Sequence, residues 1–411
     1  MSPDHRRSYT VSSTDGQACV EVELDTRRCF RGVALHQITF SPDSRHVAYP
    51  VEDGEGWRVV RDGEPGPVVE GVGELAFTPD GSTLVYAAER EGAWHMVVDD
   101  SFGRPFDSLA AGTLTFDLAG DAYAFVAYVG SAAVVVLDGA VLSRHDGVAQ
   151  LRFAPAGGRL GYLARDAGEV SLYVNGTPRV QDLGVQMFAF GPSGDLAYGL
   201  WSAAGVRVVH GDRRFGPYSD VRALTFHPGD GTLAFVARDD TGERVVFDGE
   251  EGPAYSSVDP PAFSERGSRW GYVAWAEDRS VVVVDGEAID ERAAAGGLVF
   301  SRDGERYAYV ARSQTNDAVV DEGGLTPFDM VVDGTLHFTP SGVWSCLAGD
   351  LRHRRLYVTV EDHPERRPFE WFDFALATGA SPQEDSGSEA LEKALRAWVS
   401  AEAALILDGV R

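Results

Sequence analysis

The chain has 411 residues, 44% of them hydrophobic, and a formal net charge of −27 from 36 basic and 63 acidic residues. So acidic a surface repels phosphate backbones and anionic membranes, and we expect no nucleic-acid and no membrane partner. No apolar run approaches the roughly 18 residues of a membrane-spanning helix, and the first residues, MSPDHRRSYTV, lack the apolar core of a signal peptide. The three cysteines are an odd and sparse set, which favours a reducing compartment and predicts a cytoplasmic location.

The chain begins with three strand patterns, YTVSS, ACVEVEL and RCFRGV, within residues 1–35. They resemble a four-stranded unit that lacks its first strand, and we expect them to take part in closing a ring of such units. Cys19 and Cys29 could lie near each other in a hairpin of this segment. Two cysteines do not make a metal site, and we predict neither a metal nor a cofactor.

A short motif then recurs at an almost constant interval of 36 to 39 residues. It starts at Phe40, Phe77, Phe116, Phe153, Phe190, Phe226, Phe263, Phe300 and Phe338. Such a period is typical of repeat architectures. We expect each motif Phe to be buried between adjacent units.

Each repeat contains four strand patterns and no helix pattern. In the second repeat these include GELAF and TLVYAAE, separated by the Pro-Gly turn of the motif, and then WHMVVDD. Five repeats follow the third strand with Asp-Gly or Asn-Gly, namely at Asp62, Asp138, Asn175, Asp248 and Asp285. These dipeptides favour the type I′ hairpin turn. Four short antiparallel strands per repeat predict the blades of a β-propeller.

The segments FTPDGSTLVYAAE, FSRDGERYAYVAR and FSPDSRHVAYPVE resemble the TolB-like propeller repeat, a relative of tryptophan-aspartate repeats. The resemblance spans roughly residues 36 to 376 and implies an all-β propeller. The nine motifs predict a single propeller of about nine blades, and the strand patterns at both ends of the chain leave ten as the alternative. It implies little about activity, because that family includes periplasmic partners, peptidase gating domains and sugar-acting enzymes. The chain departs from the periplasmic members in lacking a signal segment and from the peptidases in lacking a Gly-x-Ser-x-Gly elbow.

The predicted propeller comprises residues 1–379, and a polar linker, residues 380–388, follows it. Residues 389–411 form a predicted amphipathic helix and tail, with Ser386 and Glu389 at capping-box spacing. This helix either packs on its own propeller or docks a partner or a second copy of the chain.

Propeller geometry places the beginnings of the first strands and the ends of the second strands at one mouth of the channel. Three residues after the second-strand aromatic, consecutive repeats carry Tyr128, Arg165, Trp201, Arg238, Trp275 and Arg312. Three arginines beside two tryptophans would suit a ligand with an anionic group and a flat or apolar part. Alternatively, each arginine pairs with an aspartate at a blade edge, such as Asp166 or Asp239.

The beginnings of the first strands supply a second set of polar residues. We expect Gln37, Gln150, Gln186 and Arg222 to contribute to the same ligand-binding mouth, and His36, Glu74 and Asp259 are weak candidates for acid–base roles. No metal-ligand spacing, phosphate loop or nucleotide fingerprint accompanies them.

The sequence therefore favours a cytoplasmic binding scaffold that holds an anionic small molecule, an acidic peptide or a protein segment. The alternative is an enzyme, a lyase, hydrolase or cyclase, with its active site in the central funnel. Whether the protein is an enzyme stays open at this stage.

Overall fold

The computed structural model describes residues 9–14, 17–22, 26–180, 184–339, 341–350, 355–360 and 363–368. These residues form two compact units, which divide between Met187 and Phe188. Apart from one short 3-10 helix, Leu35–Gln37, their regular elements are all strands, and the predicted all-β class is confirmed. The linker 380–388 and the helix 389–411 lie outside the described residues.

The first unit begins with a three-stranded antiparallel sheet, the N-terminal sheet. Its strands are Tyr9–Thr14, Gln17–Val22 and Thr26–Phe30. Cys19 and Cys29 are direct cross-strand partners and form a disulfide, as the predicted hairpin would permit. A disulfide is unusual in the reducing compartment that the cysteine count suggested, and the cytoplasmic location stays a prediction.

Four blade-like sheets follow in the first unit, each an antiparallel meander of consecutive strands. Sheet 1 consists of Gly32–Val33, Thr39–Phe40, Val47–Glu52, Trp57–Arg61 and Glu64–Pro65. Sheet 2 consists of Gly71–Phe77, Leu84–Arg90, Ala93–Val98 and Ser101–Phe102. Sheet 3 consists of Ser108–Leu109, Thr115–Phe116, Tyr123–Val129, Ala132–Leu137 and Ala140–His145. Sheet 4 consists of Gly147–Phe153, Leu160–Asp166, Glu169–Val174 and Thr177–Val180.

The second unit contains five sheets of the same kind. The first three residues of sheet 5, 185–187, still belong to the first unit. Sheet 5 consists of Val185–Phe190, Leu196–Ser202, Gly205–His210 and Arg213–Tyr218. Sheet 6 consists of Asp220–Phe226, Leu233–Asp239, Gly242–Phe247 and Glu250–Glu251. Sheet 7 consists of Ser257–Val258, Ala262–Phe263, Trp270–Ala276, Arg279–Val284 and Glu287–Arg292. Sheet 8 consists of Ala294–Phe300, Tyr307–Arg312, Asp317–Asp321 and Gly324–Phe328. Sheet 9 consists of Met330–Val331, His337–Phe338, Trp344–Asp350, Arg355–Val360 and His363–Pro368.

Consecutive antiparallel sheets of four strands have the architecture of propeller blades. In sheets 1, 3, 7 and 9 the first strand is interrupted, and both of its pieces pair with the same second strand. The number of blades, nine or ten, stays a prediction, as does the participation of residues 1–35 in ring closure.

The five predicted hairpins have the expected turns. Asp62 and Gly63 both have positive φ, 51° and 83°, as a type I′ turn requires, and the other four dipeptides have the same combination. The turn side chain has a second role: Asp62 Oδ1 accepts a hydrogen bond from the backbone N–H of Val47, the first residue of the second strand. Asp138, Asn175 and Asp285 accept the equivalent bond in their own sheets.

The hydrophobic core lies between successive sheets. One cluster joins Val59 and Val69 from the region of sheet 1 to Tyr86 of sheet 2, and another joins Val273 of sheet 7 to Phe300 and Tyr309 of sheet 8. The second strands of sheets 1, 2, 4 and 6 each bury five consecutive residues and hence both faces, so neighbouring sheets must cover them.

The motif Phe residues are less uniformly buried than the sequence predicted. The buried members are Phe40, Phe77, Phe190, Phe226 and Phe300, whereas Phe116, Phe153, Phe263 and Phe338 are half-buried. The deepest aromatic residues are those of the second strand, such as Tyr162 and Phe235, which are fully buried. The second strand has a strand on either side, whereas the motif Phe is the last residue of the first strand and lies at a turn.

We predict that Phe77→Ala and Phe300→Ala each lower the free energy of unfolding by about 3–5 kcal/mol, the usual loss for a buried aromatic side chain. Phe116→Ala and Phe263→Ala are the matched controls, and their half-buried rings should cost less. Urea denaturation measures all four. A loss below about 1 kcal/mol at both buried positions would contradict the proposed packing.

Candidate functional site

The second strands place the predicted series of mouth residues at one equivalent position. Tyr128, Arg165, Trp201, Arg238, Trp275 and Arg312 are each the sixth residue of the second strand of their sheet. Tyr128 and Arg165 belong to the first unit, and the other four belong to the second. The second unit therefore contains two arginines and two tryptophans of the series.

Arg238 is held by a buried carboxylate on the next strand of its own sheet. Arg238 and Glu243 are direct cross-strand partners, and Nε and Nη2 of Arg238 both donate to Oε1 of Glu243. The Glu243 side chain is only 5% exposed, whereas that of Arg238 is 54% exposed. One edge of the guanidinium is thus anchored, and no described residue accepts a hydrogen bond from its Nη1.

Arg222 shares the same carboxylate. Its Nη2 donates to Oε2 of Glu243 over 2.6 Å and also to the backbone carbonyl of Val258. The backbone N–H of Val258 donates to Oε2 of Glu243 over 3.1 Å. Arg222, Arg238, Glu243 and Val258, here named the Glu243 cluster, therefore join sheet 6 to the first strand of sheet 7.

The hydrogen bonds of this cluster determine the charge state of Glu243. Burial by itself raises the pKa of this carboxyl, but the hydrogen bonds from Arg222, Arg238 and the Val258 backbone outweigh burial and lower the pKa to about 2. Nearby Asp259 has a pKa that burial raises and the charge of Arg222 opposes. Asp220, the first-strand partner of Arg238, adds another carboxyl. The surface around the two arginines is therefore mixed in charge rather than simply positive.

Sheet 8 also has a buried acid opposite the arginine of the series. Arg312 and the buried Asp317, 1% exposed, are direct cross-strand partners, and Oδ2 of Asp317 accepts a hydrogen bond from the backbone N–H of Val331 in the next sheet. Arg312 also donates from Nη2 to Asp333. A buried acid at the start of the third strand thus connects two sheets in both places.

The remaining members of the series are more exposed. Trp201 is 53% exposed and Tyr128 is 39% exposed, and Trp275 is half-buried. Arg165 is exposed and lies over Gly147, and no residue that the structure describes pairs with it. Asp166 and Asp239, which the sequence suggested as partners of the arginines, have other contacts.

The suggested pairing with Asp166 and Asp239 is wrong for the described residues. Asp166 binds His145 over 2.7 Å, and Asp239 binds Arg244 over 2.6 Å. Arginine pairing does occur, but through Glu243 and Asp333 instead. Glu243 lies opposite Arg238 on the third strand and binds it in place of Asp239, because side chains of adjacent residues point to opposite faces of a strand.

The polar residues of the first strands mainly bind the neighbouring sheet. Nε2 of Gln37 donates to the carbonyl of Gly73 over 3.0 Å, and Nε2 of Gln150 donates to the carbonyl of Gln186 over 2.8 Å. Together with the Arg222–Val258 bond, these contacts join residues 36 positions apart. Their ligand-binding role stays a prediction, but part of their hydrogen-bonding capacity is used within the fold.

Backbone bulges orient several of these side chains. Two first-strand residues oppose one second-strand residue between Ala149 and Arg152, and again between Arg222 and Thr225. Gln150 in the first of these bulges has a φ of 53°. A bulge changes the direction of a side chain relative to the regular alternation, and here it accompanies the contact of Gln150 with the next sheet.

The three acid–base candidates are not brought into one constellation within a unit. His36 lies in the 3-10 helix Leu35–Gln37, and Glu74 also belongs to the first unit, whereas Asp259 belongs to the second. Burial raises the pKa of Glu74, although backbone N–H groups of residues 112–114 oppose the effect. Among the described residues no group of three or more His, Cys, Asp or Glu side chains could hold a metal ion.

Sequence reasoning missed Glu243, which anchors Arg222 and Arg238, and Asp317, the buried cross-strand partner of Arg312. The available signal lay at the third-strand position opposite the residue of the series. Sheets 6 and 8 have an acid there, in the segments GERVVF and NDAVV, whereas sheets 3, 4 and 5 have Ala133, Val170 and Val206. An acidic exception at an otherwise apolar or small position opposite an arginine could have identified the pair.

No family model and no curated protein match the sequence. Among solved structures, a eukaryotic initiation factor is 12% identical, with 79% of this chain and 92% of that chain covered and a TM-score of 0.48. The Dos1 propeller is 12% identical, with 70% and 91% covered and a TM-score of 0.38. TolB from Acinetobacter baumannii is 13% identical, with 75% and 80% covered and a TM-score of 0.26. Similarities this weak assign no activity, substrate or partner, and membership of the TolB-like family stays a prediction. No helix among the described residues is long and apolar enough to cross a membrane.

We predict that Glu243→Gln lowers the free energy of unfolding by about 1–3 kcal/mol at neutral pH, because charge-assisted hydrogen bonds to two arginines are weakened. The folded-state pKa of Glu243, about 2, lies below its ordinary value of 4.5. The stabilisation is therefore complete above about pH 4.5 and disappears as the pH falls towards 2. Urea denaturation at several pH values should show the wild type and the variant converging in acid.

Glu291→Gln is the matched control, because Glu291 forms an ion pair with Arg279 in which both side chains are more than half exposed. Its effect should stay within about 0.5 kcal/mol at every pH. A pH-independent difference between Glu243→Gln and the wild type would refute the assigned charge state.

Proposed function

We propose that the protein is a binding scaffold that holds an acidic segment of a peptide or protein at the strand-end surface, defined as Trp201, Arg222, Arg238 and Trp275. The carrying observation is that buried Glu243 anchors two arginines whose outer edges remain accessible. An anchored guanidinium loses little side-chain entropy when it binds a carboxylate.

The tryptophans supply the apolar part of the proposed surface. Trp275 is the cross-strand partner of Ser257, which directly precedes Val258 of the Glu243 cluster in the chain. Trp201 occupies the equivalent place in sheet 5 and exposes about half of its surface, 53%. A segment with a carboxylate beside an apolar side chain has the matching chemistry.

The mixed charge of the surface limits the class of ligand. Asp220, Asp259 and Glu243 offset the two arginines, so a highly charged polyanion gains less from it than a ligand with one or two carboxylates. This argument favours short acidic-apolar segments over phosphate-rich molecules. The proposed partners therefore exclude nucleic acid and membrane surfaces, in agreement with the charge of −27.

The enzyme alternative has less support. It rests on Glu74 and Asp259, whose pKa values burial raises, and a raised pKa alone does not define a reaction. We therefore propose a binding scaffold with a cytoplasmic location.

The test uses a fluorescein-labelled peptide, Gly-Glu-Phe-Glu-Phe-Gly, and its counterpart with lysine in place of glutamate. Fluorescence anisotropy should show tighter binding of the glutamate peptide by about tenfold or more. Trp201→Ala and Arg238→Gln should each weaken its binding by about fivefold or more, because each removes one part of the surface. Raising the salt concentration should weaken binding without abolishing it, since the apolar contact persists.

Arg279→Gln is the control variant, because Arg279 is 57% exposed but lies on the third strand of sheet 7 and pairs with Glu291. It should bind the glutamate peptide like the wild type. Thermal melting of each variant separates a binding effect from unfolding. Equal binding of the two peptides, or full binding by both surface variants, would overturn the proposal.

A further inference from the structure

The first unit contains a cavity of about 480 Å³ between the N-terminal sheet and sheet 1. Its volume lies within the range of small-molecule sites. Arg28, Phe30, Val51, Asp53, Glu55, Arg58, Val60 and Pro65 line it. None of these residues belongs to the strand-end surface of the proposed function, so the cavity stands independently of it.

The floor of the cavity is apolar and well supported. Val51 and Val60 are buried in sheet 1, in a cluster that also includes Val20 of the N-terminal sheet, with Phe30 packed against it. The ring of Phe30 meets Tyr49 edge to face, with centroids 6.4 Å apart. These contacts fix the two sheets against each other. Because Val51 and Val60 are fully buried, the apolar surface that a ligand side chain can cover is that of half-buried Phe30 and exposed Pro65.

The positive pole of the cavity is Arg28. Its Nη1 donates to the backbone carbonyl of Gly63, which positions the guanidinium without neutralising it. No carboxylate among the described residues forms an ion pair with Arg28. Its charge is therefore available to a ligand carboxylate, for which the planar guanidinium is well suited.

The negative pole is the turn that connects the second and third strands of sheet 1. Arg58 donates from Nε to Asp53 over 2.5 Å and from Nη2 to Glu55 over 2.6 Å. One guanidinium thus faces two carboxylates, which leaves one negative charge in excess. The Glu55 side chain is 74% exposed and can accept a hydrogen bond from an additional cation.

We propose that this cavity binds a small zwitterion with an apolar side chain, of about the size of a dipeptide. Arg28 binds its carboxylate, and Glu55 with Asp53 binds its ammonium group. Phe30 and Pro65, supported by the buried Val51 and Val60, cover its apolar side chain. Two separated charges of opposite sign above an apolar floor match a zwitterion better than a simple anion, because the lining residues have no net charge as a set.

The test is isothermal titration calorimetry of the intact protein with the dipeptide Leu-Phe. Two blocked forms serve as matched ligands: the N-acetyl dipeptide lacks the ammonium group, and the C-terminal amide lacks the carboxylate. Both should bind about tenfold or more weakly than the free dipeptide, since each loses one charge-assisted contact. Equal binding of either blocked form would overturn the zwitterion assignment, and so would the absence of binding up to about 10 mM dipeptide.

Variants assign the two poles. Arg28→Gln should weaken binding of the free dipeptide about tenfold and leave binding of the amide unchanged. Glu55→Gln should weaken binding of the free dipeptide and leave binding of the acetylated form unchanged. The controls are Arg90→Gln and Glu91→Gln, which should bind like the wild type. Arg90 ends the second strand of sheet 2, Glu91 follows it in the turn, and the two side chains form an exposed ion pair. Unchanged binding of the free dipeptide by both Arg28→Gln and Glu55→Gln would place the ligand elsewhere. The blocked ligands test the wild type directly, so the proposal stays falsifiable even if a variant fails to fold.

Discussion

Sheets 1, 2, 4 and 6 are buried on both faces of their second strand, and this constraint governs the rest of the structure. The second-strand aromatic residues, such as Tyr86 and Tyr309, are buried only because a neighbouring sheet covers them. Burying one aromatic side chain contributes about 1.5–3 kcal/mol relative to exposure, so a sheet without neighbours would expose much of its stabilising surface. Repetition in the sequence is therefore a physical requirement for stability.

Stacking sheets creates a second requirement at the sheet edges, where backbone polar groups of the first strand approach the preceding sheet. The structure meets it with side chains from that preceding sheet. Glu243 accepts the N–H of Val258, Asp317 accepts that of Val331, and Gln37 and Gln150 donate to carbonyl groups. Buried backbone groups that lack a partner cost about 1–3 kcal/mol each, so the same residues that look like ligand-binding groups also stabilise the stack.

This dual use shapes both proposed sites. At the strand-end surface, the arginines are accessible because a buried acid holds only one edge of each guanidinium, and rigidity comes from the fold rather than from a ligand. In the cavity of the first unit, the arginine is held by a carbonyl and keeps its charge. Pairing an arginine with a buried acid makes a rigid surface of mixed charge, whereas anchoring it to a carbonyl leaves an uncompensated pole. The two environments therefore favour different ligands.

The sequence alone determined the features that depend on neighbouring residues in the chain. Alternation and the Phe motif predicted the four-stranded sheets, and the dipeptides at Asp62, Asp138, Asn175, Asp248 and Asp285 predicted turns with two positive φ angles, because such turns depend on the steric freedom of two adjacent residues. Spacing within the repeat also predicted that Arg238 and its counterparts occupy one equivalent position.

Tertiary structure alone decided which partner each side chain has. Glu243 bridges Arg238 and a backbone group of the next sheet, Cys19 bonds to Cys29, and Gln150 binds a carbonyl 36 residues away. The depth of each motif Phe was likewise decided by the sheet that covers it. These outcomes depend on bulges and on how one sheet packs against another. Contacts between segments that are distant in the chain leave no periodic pattern in a single sequence.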